Sequence, residues 1–591
     1  MNRLKQLTAT KKKRWMLSIG ITFILYVIVF LTHDISYATS DDSRIMYALA
    51  GYASGSPYPK QAFINYFLGV PIGLLYQWLP QVPWYAVYHL GAMFISECVI
   101  FLCFYRISNA KKLSPLVPLV AQIFCFLFVF LLPIVSIQFT VTSTILGTSA
   151  VVAMASLNYS DSRKTKYFIC IYCFIALIFS FMTRSLSWYS IMCFFVLACL
   201  YQLITLYFFY PKGTKRMKKN CTIRITLMVV LVVCSCFGLR VLSLHIKNQS
   251  KITQLYNDYN DVRIQYMDYK QRLPYAGNEK LYESIGWDNE LYRATLCLLY
   301  MDPRINEEAL ITITEAYQAT ADKTLINALS NVKQLFDGYL FVKITIIGTV
   351  LLFLFLNFNN FGLSDKRKQL LYLTMSIFCC GGCSMLLLYL GYTERLPLRS
   401  YQSIVLPCVL LMIVFYLKCQ DNKHREYSKA VFLVAVLLSL NSLYCVYIDQ
   451  SYSTTQTETG VTYKQFQVFE EFAVENQDNF YVYDFSIGTV SRNPFVTYPN
   501  EKPINTMISG GSYTFSELYY EQLHANGLES MYWGDLLKKN VYFVSANAEY
   551  VNVVQQNIEN LTSNDIKCET IKQFGENTSG VITIYKFSKL K

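Results

Sequence analysis

Two adjacent carboxylates, Asp41 and Asp42, follow the first apolar segment of the chain, which runs from Trp15 to Thr32. Neighbouring carboxylates at a membrane surface repel each other and favour a solvated position, so packing against lipid is disfavoured for this pair. A carboxylate is also a side chain that can accept a proton from an attacking hydroxyl group. The pair therefore predicts chemistry at the outer face of a membrane.

The composition and the apolar runs indicate a polytopic membrane protein. Of the 591 residues, 53% are apolar and 15% are charged. Runs of about twenty apolar residues, the length that crosses a hydrocarbon core, recur along most of the chain. The predicted spans are 15–33, 84–105, 113–133, 137–157, 167–183, 186–210, 223–245, 339–358, 369–391, 400–418 and 428–448.

A twelfth apolar stretch, 62–80, decides the topology. Short loops rich in Lys and Arg tend to stay cytoplasmic. If 62–80 crossed the membrane, the five basic clusters after it would lie outside, whereas an in-plane position leaves all five inside. We therefore predict eleven spans, 62–80 along the outer surface, a cytoplasmic N-terminus and an extracytoplasmic C-terminus. The basic segments are Arg3 to Arg14, Arg106 to Lys112, Arg163 to Lys166, Lys212 to Lys219, Lys366 to Lys368 and Lys418 to Lys429.

This topology places most of the polar residues outside and divides the chain in two. Residues 1–448 form the transmembrane domain, with outer loops 34–83 and 246–338, and residues 449–591 form an extracytoplasmic α/β domain. The net charge of +13 then reflects cytoplasmic anchoring among membrane lipids, and nothing calls for nucleic acid. The first span as a cleaved signal peptide is disfavoured, because its apolar run is long.

The tail has the pattern of a small α/β domain. Phe480 to Tyr483 and Asn540 to Val544 predict buried strands, Val553 to Leu561 an amphipathic helix, and Gly580 to Phe587 a closing strand. Asn505 to Tyr513, which contains Gly510 and Gly511, predicts a flexible loop facing a ligand or the membrane domain. An acceptor-guiding or regulatory role and a solvated cap both remain open for this domain.

The first outer loop resembles that of GT-C-type glycosyltransferases. Its sequence, Ser40-Asp41-Asp42-Ser43-Arg44-Ile45-Met46-Tyr47, follows one span and a basic N-terminus. In the protein O-mannosyltransferases and bacterial aminoarabinose transferases of that superfamily, an acidic pair opens this loop and in-plane helices follow it. Two departures, Asp42 in place of the frequent Glu and the late position of Tyr47, leave the family within the superfamily open. The resemblance implies a GT-C-like fold of about eleven helices.

The resemblance also implies a reaction. In such enzymes a sugar is carried on a polyprenyl phosphate, an acceptor hydroxyl attacks the anomeric carbon, and the lipid phosphate leaves with inversion. The motif assigns the catalytic base to Asp41, with Asp42 positioning the acceptor or raising the pKa of its neighbour. The alternative is a solvated turn in which an Asp caps the following helix. The sequence assigns no cofactor, although the two carboxylates together are able to hold one divalent ion.

The lipid phosphate needs cations near the outer ends of spans. Arg184, Arg240, Arg395 and Arg399 lie at that depth, and a guanidinium can bind phosphate oxygens in a bidentate way. The alternative is snorkelling to ordinary headgroups. Glu394 and Pro397 indicate a shaped turn, which favours Arg395.

Further substrate contacts are expected from side chains next to these two groups. They are Arg44 and Tyr47 beside the acidic pair, Glu394 beside Arg395, and His33, for which an interfacial anchor is the alternative. In the large outer loop, tyrosines from Tyr256 to Tyr292 alternate with carboxylates. This pattern suits carbohydrate binding or, alternatively, a helical lid at headgroup depth.

The sequence thus predicts an inverting glycosyltransferase of a bacterial plasma membrane. Its donor is a polyprenyl-phosphate sugar, and its acceptor is a surface glycan, a teichoic-acid-like polymer or a glycolipid. A flippase or transporter of a lipid-linked glycan is a second possibility, although the two halves of the chain are unlike and the charges cluster outside. A membrane-anchored scaffold is the third.

Overall fold

Two compact units make up the chain in the computed structural model, and each is assembled from three segments. Unit 1 contains Met1–Ile35, Ala86–Val241 and Thr324–Asp449, and unit 2 contains Ser36–Tyr85, Leu242–Lys323 and Gln450–Lys591. The structure describes residues 10–158, 161–209, 215–321, 324–363, 365–420, 428–453, 460–490, 492–575 and 580–590. Parts of the predicted basic clusters, including Arg3, Lys5 and Lys212, lie outside these ranges.

Unit 1 holds the membrane-spanning helices. Among the described residues, eleven helices are long and apolar enough to cross a membrane, which confirms the predicted number of spans. The fourth is entirely buried within the protein, whereas the first is mostly exposed, as expected for a helix that faces lipid. In chain order, spans 1 to 11 are Lys12–Thr32, Trp84–Ala110, Leu116–Val135, Phe139–Ser156, Arg163–Thr183, Ser185–Phe209, Lys218–Lys247, Leu340–Phe361, Lys366–Tyr392, Leu398–Cys419 and Val431–Ile448.

Two features interrupt the regular spans of unit 1. Span 3 changes to a π-helix over Phe126–Phe130 before its last α-helical turn, Leu131–Val135. A further helix, Leu325–Gly338, precedes span 8 and contacts span 9. This contact fixes the position at which span 9 ends.

Unit 2 consists mostly of segments that the predicted topology places outside. Its first segment contains the helices Ser40–Ala50 and Tyr66–Trp78. The second of these has 13 residues, too short to cross a hydrocarbon core, in agreement with the exclusion of 62–80 from the spans. The in-plane position remains a prediction. The other α-helices of unit 2 are Lys251–Arg263, Glu279–Ser284, Asn289–Leu296, Glu307–Thr320, Tyr463–Glu475, Phe485–Gly488, Glu517–Ala525 and Ala548–Thr562.

The C-terminal segment forms a five-stranded mixed sheet, which confirms the predicted α/β class. The sheet order is β4-β3-β5-β7-β6, in which β3 pairs in parallel with β4 and β5, and β7 pairs antiparallel with β5 and β6. The predicted strands correspond to β3, β5 and β7, and the predicted helix to Ala548–Thr562. The strands of the chain are β1 Ser36–Tyr37, β2 Ser136–Ile137, β3 Phe480–Tyr483, β4 Thr506–Ile508, β5 Val541–Ser545, β6 Ile566–Phe574 and β7 Ile582–Lys589.

The prediction of a flexible loop at Asn505 to Tyr513 is wrong. Thr506–Ile508 is strand β4, and the following residues through Ser512 are buried. A Cβ atom at Gly510 would lie 2.0 Å from the carbonyl oxygen of Leu298, so the backbone here is packed against the large outer loop. Glycine serves close packing at this point rather than mobility.

The large outer loop contributes to the core of unit 2. Ala294, Cys297, Leu299 and Met301 belong to the same buried cluster as residues of the C-terminal sheet. A second cluster contains several of the tyrosines that were expected to hold carbohydrate or to lie at headgroup depth. These side chains are buried instead, and they are Tyr259, Tyr266 and Tyr282.

Candidate functional site

The acidic pair lies in the first turn of the helix Ser40–Ala50, which we call the acidic helix. Thr39 occupies the N-cap position with an extended backbone, and Gly51 ends the helix in the left-handed conformation with φ of 73°. Carboxylates in a first turn interact favourably with the helix dipole. Neither Asp41 nor Asp42 is itself the capping residue, so the capping alternative does not describe this pair.

Asp42 is buried, and the expectation that both carboxylates are solvated is wrong for it. Thr39 Oγ1 donates to Asp42 Oδ2 at 2.9 Å, and the hydroxyl of Tyr85 donates to Asp42 Oδ1 at 3.2 Å. These two hydrogen bonds compensate part of the cost of burying the carboxylate. Asp41 is partly exposed. The two neighbours therefore differ, since one carboxylate is held in place and the other remains accessible.

Two side chains of the acidic helix, those of Arg44 and Tyr47, contact the C-terminal segment. The guanidinium of Arg44 lies 4.9 Å from the ring centre of Phe485, a cation–π contact. Its Nη2 atom is buried and has no hydrogen-bond partner among the described residues. Burial lowers the pKa of Arg44 from its usual value. The hydroxyl of Tyr47 donates to both carboxylate oxygens of Glu470, at 2.7 and 2.8 Å.

Glu470 and Arg492 form a buried ion pair that the sequence analysis missed. Arg492 Nη1 lies 3.5 Å from Glu470 Oε1, and the guanidinium stands between two rings, 4.3 Å from the centre of Tyr47 and 4.4 Å from that of Phe466. Burial raises the pKa of Glu470, although Arg492 opposes this. A signal existed in the sequence, because Glu470 interrupts the apolar face formed by Phe466, Phe469 and Ala473.

Arg184 and Arg240 lie toward the C-terminal ends of spans 5 and 7 in unit 1. Arg184 is the C-cap residue of span 5, and its guanidinium lies 5.2 Å from the ring centre of Phe139. Arg240 is exposed, and its Nη1 donates to the hydroxyl of Tyr189 at 2.7 Å. Both arginines are thus placed within unit 1 by an aromatic residue of a neighbouring span.

The turn between spans 9 and 10 carries Glu394 and Arg395, and Arg399 is the second residue of span 10. Glu394 has φ of 59°, the left-handed region that few residues other than glycine adopt, and the backbone N–H of Arg395 donates to Leu390 O at 3.2 Å. A Cβ atom at Gly391 would lie 2.6 Å from Ala328 O on the helix Leu325–Gly338. The predicted shaped turn is present, and close backbone packing holds it.

His33 ends span 1 and belongs to unit 1. Its Nδ1 atom lies 2.7 Å from Thr32 Oγ1, and burial lowers the pKa of its imidazole. The candidates thus divide between the two units. Asp41, Asp42, Arg44 and Tyr47 share the acidic helix of unit 2, and the remaining candidates lie in unit 1, namely His33, Arg184, Arg240, Glu394, Arg395 and Arg399.

The described residues contain no cluster of three or more His, Cys, Asp or Glu side chains placed to hold a metal ion. Asp41 and Asp42 are adjacent, but the two oxygens of Asp42 already accept hydrogen bonds from Thr39 and Tyr85. This arrangement can accept a proton at Asp41, while Asp42 is held in place beside it.

No family model and no curated protein matches the sequence. Among solved structures, the chain is similar to the crystal structure of ArnT from Cupriavidus metallidurans bound to undecaprenyl phosphate. The two chains are 10% identical over 96% of this chain and 97% of the other, with a TM-score of 0.36.

Proposed function

We propose that the protein is an inverting glycosyltransferase that moves a sugar from a polyprenyl phosphate to an acceptor at the outer face of the membrane. The acceptor oxygen forms a bond to the anomeric carbon, and the bond from that carbon to the phosphate oxygen breaks. The phosphate leaves with the electron pair, and Asp41 takes the proton of the acceptor hydroxyl. The acceptor is a surface glycan, a teichoic-acid-like polymer or a glycolipid.

The observation that carries this proposal is the difference between the two carboxylates of the acidic helix. Asp42 is fixed by Thr39 and Tyr85, and it lies next to the partly exposed Asp41. A general base must be reachable by its substrate and held in a defined orientation. Asp41 meets the first condition, and its place in the first turn of an ordered helix supports the second.

The arginines supply the second chemical requirement, stabilisation of the leaving phosphate. Arg395 and Arg399 follow a turn that close packing of Gly391 fixes, so their starting points are defined. Arg184 follows span 5 and Arg240 lies within the last turns of span 7. In the predicted topology all four lie near the outer headgroups. We assign the phosphate first to Arg395, with Arg399, Arg184 and Arg240 as further candidates.

A cavity in unit 1 suits the apolar part of such a donor. It has a volume of about 530 Å³ and lies among spans 3, 8, 10 and 11. Its lining is mostly apolar and includes Phe124, Gly348, Leu352, Val409 and Leu438. The lining also includes Lys112 and Gln420, which the predicted topology places at the cytoplasmic ends of their spans. A long prenyl chain whose phosphate is at the outer face must cross the hydrocarbon core to reach this cavity, so the cavity suits the distal part of the chain.

Asp41→Asn tests the assignment of the base, with Asp565→Asn as the matched control at an exposed position of the C-terminal segment. Purified protein is incubated with a panel of synthetic undecaprenyl-phosphate sugars and membrane extract as the acceptor source, and released undecaprenyl phosphate is quantified. We expect Asp41→Asn to lower turnover by about 100-fold or more, the usual contribution of a general base. Binding of undecaprenyl phosphate, measured by native mass spectrometry, should stay within twofold.

The same measurements separate the other function classes. A flippase would move a fluorescent undecaprenyl-phosphate sugar across vesicles without releasing undecaprenyl phosphate, and Asp41→Asn would leave this movement unchanged. A scaffold would do neither. Turnover by Asp41→Asn at the level of Asp565→Asn would remove Asp41 as the base, and absence of release from every donor by the wild-type protein would contradict the proposed function.

A further inference from the structure

The acidic helix is attached to the C-terminal segment at a point after the acidic pair. Tyr47 lies five residues beyond Asp42, and its hydroxyl donates to both oxygens of Glu470 on the helix Tyr463–Glu475. The hydroxyl of Tyr498 donates to Glu470 Oε2 at 3.0 Å. Glu470 is 3% exposed, so these hydrogen bonds form away from solvent. Water therefore competes little with this attachment.

A second attachment lies before the acidic pair. The backbone N–H of Tyr37 donates to the backbone carbonyl of Arg492 at 3.0 Å. The ring of Tyr37 packs on that of Tyr85 at 5.8 Å between centres, and Tyr85 is the residue whose hydroxyl holds Asp42. One residue of the C-terminal segment, Arg492, thus reaches the chain on the N-terminal side of Asp41 through its backbone.

The side chain of Arg492 joins the two attachments. Its guanidinium stacks on the ring of Tyr47 and pairs with Glu470, while its own carbonyl holds Tyr37. The residues 37 and 47 bracket the acidic pair at positions 41 and 42. Contacts on both sides of a short segment fix its translation and its rotation, whereas one contact alone would leave it free to pivot.

We propose that Glu470 and Arg492 are positioning residues for the acidic pair, so that the C-terminal segment sets the geometry of the catalytic base. This inference rests on the proposed function for its catalytic part. It gives the C-terminal segment a definite task, because the two residues lie in the tail, more than 400 positions from the carboxylates that they orient. Neither residue touches the reacting atoms in this scheme, and both act through Tyr47 and Tyr37.

Tyr47→Phe is the sharpest variant, because it removes the hydrogen bonds to Glu470 and keeps the ring beneath Arg492. Tyr463→Phe is the matched control, since Tyr463 lies on the same helix as Glu470 and its hydroxyl donates to Gln467 at 2.7 Å. Hydrogen exchange of the full chain in nanodiscs is followed for peptides covering Ser40–Ala50 and, as a reference, Val541–Ser545. Turnover and native-mass binding of undecaprenyl phosphate are measured on the same samples.

We expect Tyr47→Phe to speed exchange in the acidic helix, to leave β5 unchanged, and to lower kcat roughly tenfold, the factor typical of a hydrogen bond to a charged group. Binding of undecaprenyl phosphate should stay within twofold, and Tyr463→Phe should resemble the wild type. Arg492→Lys keeps the charge but loses the planar guanidinium that packs on the ring of Tyr47. It should therefore also speed hydrogen exchange in the acidic helix.

The outcomes separate this inference from the proposed function. Unchanged exchange in Ser40–Ala50 for both Tyr47→Phe and Arg492→Lys would overturn the positioning role. Faster exchange with unchanged kcat would also overturn it, because the base would then not depend on its attachment. A wild-type protein that releases no undecaprenyl phosphate would contradict the proposed function, while the exchange data would still decide whether the tail holds the acidic helix.

Discussion

The acidic helix of unit 2 and the arginine turn of unit 1 are held in place in different ways. Partners of the acidic helix include Glu470 and Phe485, more than 400 residues away along the chain. The turn that carries Arg395 is held by backbone hydrogen bonds to its own helix end and by contacts of Gly391 with a helix about sixty residues earlier, which include a hydrogen bond from Asn331 Nδ2 to Gly391 O at 2.8 Å. The first arrangement depends on the fold of the tail, and the second depends on neighbouring helices.

This difference separates what the acidic helix of unit 2 requires from what the arginine turn of unit 1 requires. Damage to the C-terminal segment should release Asp41 and leave the arginines of unit 1 in place. Damage to the end of span 9 should move Arg395 and leave the carboxylates in place. The largest expected effect is at Gly510, the next at Asp484, and the smallest at Gly391.

Gly510→Ala should disrupt unit 2 and abolish turnover. The added Cβ would lie 2.0 Å from the backbone oxygen of Leu298, and no side-chain rotation can relieve a contact with backbone. We expect a destabilisation at or above the upper end of the roughly 1–3 kcal/mol typical of overpacking. Hydrogen exchange should rise in β4 and in the acidic helix, while peptides from the spans stay protected.

Gly534→Ala is the control for this prediction. It adds the same methyl group in the same unit, where the nearest atom, Leu561 Cδ2, is 3.8 Å away. Its exchange pattern and turnover should match those of the wild type. If Gly510→Ala left β4 and the acidic helix as protected as in the wild type, the dependence of the acidic helix on the packing of the tail would be wrong.

The sequence allowed prediction of elements whose signal is local. Hydropathy located all eleven spans, because a helix in lipid must be apolar along its length. It also located β3 and β5, whose residues are nearly all buried. It missed β6, because most of Ile566–Phe574 is exposed and carries Lys567, Glu569 and Lys572, as suits a charged edge strand.

The candidate site was harder to predict, because its partners lie far apart in the chain. The acidic pair and the arginines were recognisable from residue type and position alone. The burial of Asp42 was not, because it depends on Tyr85 and Thr39 closing around it. The ion pair of Glu470 with Arg492 and its contact with Tyr47 require the tail to fold beside the first loop. A Gly-Gly sequence suggested mobility at Gly510, where the fold instead uses the small residue for close packing.

Asp484 should make the stability of unit 2 depend on pH. Burial raises the pKa of this carboxyl to about 7 from a usual value of 3.8. Between these values the native state binds a proton that the unfolded state releases, so stability falls as pH rises toward 7 and then levels off. The difference corresponds to about 4 kcal/mol at most above pH 7.

Asp484→Asn tests this prediction, because the amide is neutral at every pH and its oxygen can still accept the hydrogen bonds that Ser486 gives to Oδ1. The thermal unfolding midpoint of the full chain should rise by roughly a few degrees at pH 8 and change less than the wild type between pH 5 and 8. Asp565→Asn, at an exposed position, should follow the wild-type curve. If the unfolding midpoints of Asp484→Asn and the wild type changed with pH in parallel between pH 5 and 8, the carboxyl of Asp484 would not titrate in that pH range.

Gly391→Ala should give the smallest of the three effects, and one confined to the arginine turn. A Cβ at this position would lie 2.6 Å from Ala328 O, so the helix Leu325–Gly338 or the end of span 9 must shift by several tenths of an ångström. Alanine is favoured over glycine in a helix by about 1 kcal/mol, which offsets part of the cost. We expect undecaprenyl phosphate to bind several-fold more weakly by native mass spectrometry, with exchange in the acidic helix unchanged.

Gly381→Ala, in the same span with nothing within 4 Å of the added atom, should bind as the wild type does. Faster exchange in Ser40–Ala50 of Gly391→Ala would contradict the prediction that the supports of the acidic helix and of the arginine turn are independent.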